Sequence, residues 1–583
     1  MSADLVVYNQ SVEEMPTSSV FLDKKWLSVL DQNNGSYSSG QSTLETTSLA
    51  TSDRLMNYRE AYLTVPLVIT VGNNTNANGA GMPSAVTNKS KLFGLKNSYT
   101  SLIHSMSVDL NGSNIIQQTP FSEFYNAFCL MTSLSWDDVK TQGSTIGFFP
   151  DDALSATSFI AANPSGSPAA TVNNQDLLTP NVEVADVMGR IGNKGFSERL
   201  KYINYNAAET VGGEATEALQ SAFLSAASAT TLFKNQIFNS AAGANTASPV
   251  VQTQVMAIIK LRHLHNFFNH VPLARGLQFR FIINFNQSTS TVTATTANVT
   301  SEAVIKSQFG GVNPLMMASM KTSNGGQVLR TAAGSIRADL SIGRTCLDSQ
   351  LAGYAGTSTS GLPQGVSLNV PSYIMSPSLA GAYVSANSAK RINYTDIYQF
   401  KIAGVTANES INQLVTSGIR GVRSVTVMPM LPTASNGGAN VGVAEHQSVQ
   451  SDCGGGPTAL LAQVTNFQIQ LGGVNQIQTS GRYEYEIFQN YVYGAKSVNG
   501  GNSDGLTSSL IGQSDWARKY LYYYIDCNRG TDLERDVPKS VQVQLQNLSA
   551  KTIDYYIYIE YENSFSLDVA TGNIVSMLSL IHI

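Results

Sequence analysis

An eight-residue stretch occurs twice in this chain, and its recurrence limits what the chain can fold into. Leu110-Asn111-Gly112-Ser113-Asn114-Ile115-Ile116-Gln117 returns as Leu471-Gly472-Gly473-Val474-Asn475-Gln476-Ile477-Gln478, a constant offset of 361 residues. At that offset Ile103, Met106 and Val108 align with Val464, Phe467 and Ile469, an alternation that predicts a half-buried strand in each copy. Asn111-Gly112 and Gly472-Gly473 suit a tight hairpin with positive φ. Thr119 and Ser480 then read as N-caps, with Pro120 at a first helical position. Phe124, Ala127, Leu130 and Met131 answer to Tyr485, Phe488, Tyr491 and Val492 as one apolar helix face. One strand-turn-helix unit is used twice.

A chain of 583 residues exceeds what one hydrophobic core supports, so the repeat implies two domains. Charged residues make up 13% of the chain, against about 25% in an average soluble domain. The surface is therefore polar but weakly charged, which suits packing against copies of itself. Net charge is −5 and no block of Lys or Arg occurs, which argues against direct, sequence-specific nucleic-acid binding. Met1-Ser2-Ala3-Asp4-Leu5 has neither the charged nor the apolar region of a signal peptide, so export by that route is not expected. Cys129, Cys346, Cys453 and Cys527 lie far apart and form neither a disulfide framework nor a metal motif.

Residues 1–35 read as an N-terminal arm with an amphipathic piece at 21–30, whose Phe21, Trp26, Val29 and Leu30 can dock on a neighbour, on a membrane surface or on their own domain. Residues 36–385 form a first β domain with a large insertion at about 135–253, partly helical near Glu214 to Lys234. Within it, 62–71 reads as a strand whose Pro66 marks an end or an edge. Leu277, Phe279, Phe281, Ile283 and Phe285 alternate strictly, as do Ile336, Ala338, Leu340 and Ile342. Residues 386–583 form the second domain. It opens with a strand at Ile392, carries a long exposed loop at 433–457, and repeats the alternation at Val541, Val543 and Leu545 and at Ile553 to Tyr561. The last ten residues, 574–583, are apolar and read as a tail that packs beneath its own assembly or on a neighbouring protein.

Candidate chemistry is sparse, and no catalytic, cofactor-binding or metal-ligating residue is assigned. His263 and His265 fall two apart on one predicted strand face with His270 nearby, half of a zinc set at most, since zinc needs three or four converging ligands. Asp137-Asp138 and Asp151-Asp152 are adjacent carboxylates, which suit turns and caps better than the opposed pair of a glycosidase. Gly454-Gly455-Gly456 and the run from Gly500 to Gly505 lack the Lys-Ser/Thr of a phosphate loop. Tyr520, Tyr522, Tyr523 and Tyr524 suit packing or interface contact, or the stacking of sugars or bases.

Several segments in order resemble one family. SEFYNAF, MTSLSWDD and GFFPDD in the first half, PSYIMSP and INYTDIYQFKIAGV across the boundary, and YEYEIFQNYVYG, NGGNSDGLTSSLIGQ and PKSVQVQLQNLSAKTIDYYIYIEY in the second are similar to the double jelly-roll major capsid proteins of polinton-like viruses, adintoviruses and virophages. The resemblance covers most of both halves and weakens at 1–35, 150–250 and 433–457. It implies an all-β chain of two tandem eight-stranded jelly rolls with short helices and long surface loops. It also implies a structural, non-enzymatic virion protein that trimerises into pseudo-hexameric capsomers of an icosahedral shell, assembled inside the host cell. The implied partners are copies of itself and penton and minor or cement capsid proteins, with membrane contact only through the N-terminal arm. The alternative role is a sugar-binding or receptor-attachment β protein of the virion.

Overall fold

The computed structural model describes residues 20–73, 93–151, 249–343, 365–449, 462–476, 510–527 and 537–578, apart from short internal gaps, with a few positions between them such as Arg199 and the strand Asn235–Asn239. Along the first half run strands β1 (Phe21–Leu30), β2 (Gln41–Glu45), β3 (Tyr62–Asn73), β4 (Ile103–Leu110) and β5 (Ser113–Ile116), then helices α1 (Ser122–Ser133) and α2 (Trp136–Ile146). They are followed by β6 (Pro249–Lys260), the short helix α3 (Phe267–His270), β7 (Phe279–Phe285), β8 (Ser288–Ala294), β9 (Val299–Lys306), β10 (Gly334–Ile342), β11 (Ser367–Met375) and helix α4 (Pro377–Ala386). The second half contains β12 (Lys390–Val405), β13 (Ser410–Ile419), β14 (Val422–Met430), β15 (Val464–Leu471), β16 (Tyr523–Asp526), β17 (Lys539–Asn547), β18 (Ile553–Leu567) and β19 (Ile574–Leu578).

Each half pairs a large sheet with a four-stranded one. In the first half the small sheet has the order β2-β7-β4-β5, and β1, β11, β3, β10, β8 and β9 follow one another across the large sheet, with β6 also on β3. In the second, β13-β17-β15 and the short strand Val474–Asn475 form the small sheet, while β12-β18-β14-β16 form the large one with β19 added on β18. The duplication holds to the register: Leu110 pairs with Phe279 and Val108 with Phe281, as Leu471 pairs with Val541 and Ile469 with Val543. Both repeat turns have consecutive positive φ, 48° and 83° at Asn111 and Gly112 and 60° and 81° at Gly472 and Gly473, the form whose twist matches antiparallel strands. Strict alternation buries Phe279, Phe281, Ile283 and Phe285, each side chain gaining about 1.5–3 kcal/mol from leaving water.

One of the three dockings open to the 21–30 piece is observed, and four local expectations are corrected. Phe21–Leu30 is a strand, paired antiparallel to β11 through Phe21–Met375 and Leu30–Ser367, so its hydrophobic residues lie on a strand edge of the chain's own sheet. Pro66 sits inside a central strand: β6 pairs along one flank of β3, while the other flank passes from β11 at Tyr62–Thr64 to β10 at Leu67–Asn73. Proline's missing N–H falls at that changeover, where no ladder bond is lost. Helix α1 starts at Ser122, not after Thr119, because Phe121 takes a left-handed conformation (φ 53°) and the Thr119 hydroxyl donates to the Ile397 carbonyl instead. His263 lies in a 3-10 turn, Leu261–His263, and no strand carries it with His265. In the loop expected to be exposed, Glu445, His446, Gln447, Ser448 and Val449 are buried. The helix expected from Ser480, the one near 214–234 and the Gly-rich runs at 454–456 and 500–505 lie outside the described residues.

The two cores interlock. Phe124, Tyr125, Phe128, Leu130 and Met131 of α1, together with Val139 and Ile146 of α2, belong to the apolar cluster built on β14, β17 and β18 of the second half. In return Ile392 and Tyr394 of β12, Phe565 and Leu567 of β18, and Val569 complete the cluster of the first half. Apolar burial is therefore shared across the chain, and neither half closes its core alone.

Candidate functional site at the seam of the two halves

The shared cores bring a line of polar contacts with them. The Nδ1 of His265 accepts from the Phe267 N–H, which leaves Nε2 to donate to Asp396 Oδ1 at 3.2 Å, and both side chains are buried. Next to this pair the Asn266 amide donates to the Thr395 hydroxyl at 2.8 Å, and the Tyr394 hydroxyl donates to the Ile115 carbonyl at 2.8 Å. Tyr558 reaches back to the Phe121 carbonyl at 2.7 Å, at the left-handed residue that starts α1. Further along, Gly276 and Gly572, both with positive φ, bring their loops so close that a Cβ on Gly276 would lie 2.2 Å from the Thr571 carbonyl oxygen. The Arg275 N–H donates to the Val569 carbonyl at 3.0 Å in the same contact.

The buried loop at 445–449 forms a second stretch of seam. Glu302 of β9 accepts from the Ser448 hydroxyl at 2.7 Å and from the Val449 N–H at 2.6 Å. Lys96 donates to the His446 carbonyl at 3.0 Å, and Asn313 to that of Gln447 at 2.8 Å. Burial, with Lys96, Lys306 and Lys401 around it, pushes the His446 imidazole down to about 3. Glu123 is fully buried beside His104, 3.5 Å away, and burial raises its carboxyl above the usual range while His104 partly offsets the shift.

His263, His265 and His270 all border one cleft of about 420 Å³ between the halves. The turn at 261–263, α3 and the link between them face α1, β12, β14 and β18 across it. Among the described residues no group of three or more His, Cys, Asp or Glu converges as a metal site would require. The other sequence candidates separate. Asp138 closes a capping box with Ser135 at the start of α2, and hydrogen bonds from the Ser135 N–H and hydroxyl hold its carboxyl below the usual range. Asp151 pairs with Arg199 at 2.6 Å, and Asp152 lies outside the described residues. Tyr520, Tyr522, Tyr523 and Tyr524 are buried, so their rings are not offered to a ligand in solvent. Cys129 and Cys527 are free thiols, and burial pushes Cys527 up to about 12; Cys346 and Cys453 lie outside the described residues.

Sequence reasoning did not single out Asp396, Glu302 or Glu123. Each is one acid in an otherwise polar or β-rich stretch, and its partner is more than 100 positions away or of unremarkable spacing. The exposed apolar residues that the sequence did mark fall mainly on β1, where Leu22, Trp26 and Leu30 are at least half exposed, and Ile374 of β11 lies beside them. Within the apolar tail, Ile574–Leu578 pairs with β18 of its own chain, and residues 579–583 lie outside the described ones.

No family model and no curated protein matches the chain by sequence. Among solved structures, a chain of the Sputnik virophage superposes with a TM-score of 0.50 at 10% identity, over 98% of this chain and 91% of that one. The fold is a double jelly roll. The mavirus major capsid protein aligns over 99% of this chain and 95% of its own at 11% identity and a TM-score of 0.46. The Faustovirus major capsid protein aligns over 96% and 94% at 9% identity and a TM-score of 0.40. In this double jelly roll the two barrels meet along the seam of His265, Asp396, Gly276 and Gly572 described above.

Proposed function

We propose that this chain is a major capsid protein whose trimers form pseudo-hexameric capsomers of an icosahedral virus shell. The observation that carries the reading is the interlocking of the two cores, which turns a duplicated β unit into one rigid block with two barrels side by side. A block of that shape presents two similar flanks, so three copies around an axis approximate six-fold packing. The same overall span in a virophage particle chain supports the reading, as do the capsid-like segments in the sequence. The apolar edge at Leu22, Trp26 and Leu30 then serves as a contact between copies, since a hydrophobic edge strand left in water invites pairing with another chain. Interfaces between copies are of the obligate class, on the order of 2,000 Å² or more. Penton and cement proteins complete the shell, and the protein works by assembly, not by turnover of a substrate.

Electron microscopy of the purified chain under assembly conditions tests this. Shells or sheets tiled by units of hexagonal outline are the expected result, and particles that stay single and asymmetric at every concentration would contradict it. The attachment role lacks a supporting observation, because the insertion loops whose aromatics would favour it lie largely outside the described residues.

A further inference from the structure

The cleft at the seam gathers polar groups that the fold itself leaves unanswered. Asn126 on α1 is only 4% exposed and borders the cleft, yet its side-chain amide has no hydrogen-bond partner among the described residues. Arg262 and His263 border it too, both half-buried and likewise without a side-chain partner among the described residues. An amide, a guanidinium and an imidazole bordering one space form a set of donors for an acceptor that enters it.

Cationic side chains stand around His263 and His270. Burial, followed by Arg262 and Lys260, pushes His263 down to about 3, and burial with Arg59 and Arg423 lowers His270. Excess positive charge disfavours a cation and favours an oxyanion, which a guanidinium fork grips through paired N–H groups. The cleft wall also carries an acceptor. Glu560 accepts from the Ser424 hydroxyl at 3.0 Å, and its charge helps to raise Tyr125 and Cys129. An acceptor there suits hydroxyl donors on a ligand, and a volume of about 420 Å³ holds a small organic molecule.

We propose that this cleft binds a small phosphate ester, with the phosphate held by Arg262, Asn126 and His263 and a hydroxyl-bearing body directed to Glu560. The site belongs to the folded chain and does not depend on the capsid reading: a chain that never assembles still binds.

Calorimetric titration of the full chain with ribose 5-phosphate and with inorganic phosphate tests it, with each variant checked for native unfolding temperature. Ribose 5-phosphate should bind with a dissociation constant on the order of 0.1–1 mM and about tenfold more tightly than inorganic phosphate. Arg262→Gln should weaken both probes about tenfold or more, and His263→Gln serves the same purpose should the first variant unfold. Glu560→Gln should strengthen inorganic phosphate and narrow the gap between the probes. Absence of binding by either probe at 10-fold above that range, or binding indifferent to Arg262→Gln and His263→Gln, overturns the proposal.

Discussion

His265 of the first half donates from Nε2 to Asp396 of the second across 3.2 Å, with both side chains buried. The bond joins a segment just before α3 to the strand that opens the second jelly roll, so it registers one barrel against the other. Buried polar pairs contribute less to net stability than to fixing one arrangement, but removing one member costs the other a partner.

His265→Ala is therefore expected to cost about 1.5–3 kcal/mol, since the buried Asp396 carboxylate loses its seam donor while keeping the Ile397 N–H. Denaturant unfolding of the variant measures this. A loss below about 1 kcal/mol would mean that water reaches Asp396 and the pair does not set the seam.

The close approach at Gly276 and Gly572 gives a sharper steric test. Gly276→Ala places a Cβ 2.2 Å from a backbone oxygen and demands a left-handed alanine, so its loops must part. Gly112 has a similar φ of 83° but nothing within 4 Å of a Cβ, so Gly112→Ala should cost only roughly 1–2 kcal/mol of backbone strain. Thermal unfolding should rank Gly276→Ala well below Gly112→Ala, and equal shifts would show that the loops do not touch.

Phe128 stands on a first-half helix but fills the second-half core, in edge contact with Tyr522 at 5.0 Å. Phe128→Ala should cost about 3–5 kcal/mol, and calorimetry should show one transition for both halves moving together. Two separable transitions, with only one displaced by the variant, would contradict the interlocked cores.

The buried His446 makes stability depend on pH in a stated direction. Its folded value, about 3, lies below the ordinary 6.5, so the unfolded chain binds more protons between those limits. Stability from this group is present above pH 6.5 and is lost as pH falls toward 3, with a slope approaching about 1.4 kcal/mol per pH unit per proton. His263, also pushed down to about 3, adds in the same sense. Glu123 acts the other way. With its folded value raised, its stabilising share is greatest at low pH and is lost as pH rises through that value. Comparing His446→Asn with the parent between pH 6.5 and 5 isolates the first effect: the variant should lose less stability on acidification, and parallel curves would refute the assignment.

The strands were legible in the sequence because alternation such as Leu277 to Phe285 reports directly which face is buried, and the repeat fixed which strands correspond. Chain punctuation misled where tertiary contacts override it. Pro66 reads as an edge residue but sits at the one point in β3 where its neighbour changes. Thr119 reads as a cap but bonds to Ile397, 278 positions away. The histidines at 263 and 265 read as a strand pair because nothing local announces the tight turn at 261–263. Of the seam, the sequence offered the histidines alone. Asp396, Glu302 and Asn126 gain their meaning only from partners or spaces brought together by folding, and such contacts leave no period to find.

Low surface charge bears on assembly. With 13% charged residues and no charge block, association between copies should change little from low to physiological salt, because few exposed ion pairs are available to screen. Sedimentation at several ionic strengths checks this, and complete dissociation over that range would point to charge-driven contacts.

The most direct test of the central claim is the mass of the purified chain in solution, by light scattering on a size-exclusion column. One chain weighs 62.4 kDa. A stable species of about three times that mass is the predicted result for a capsomer-forming double jelly roll, whereas a strict monomer at high protein concentration would contradict it.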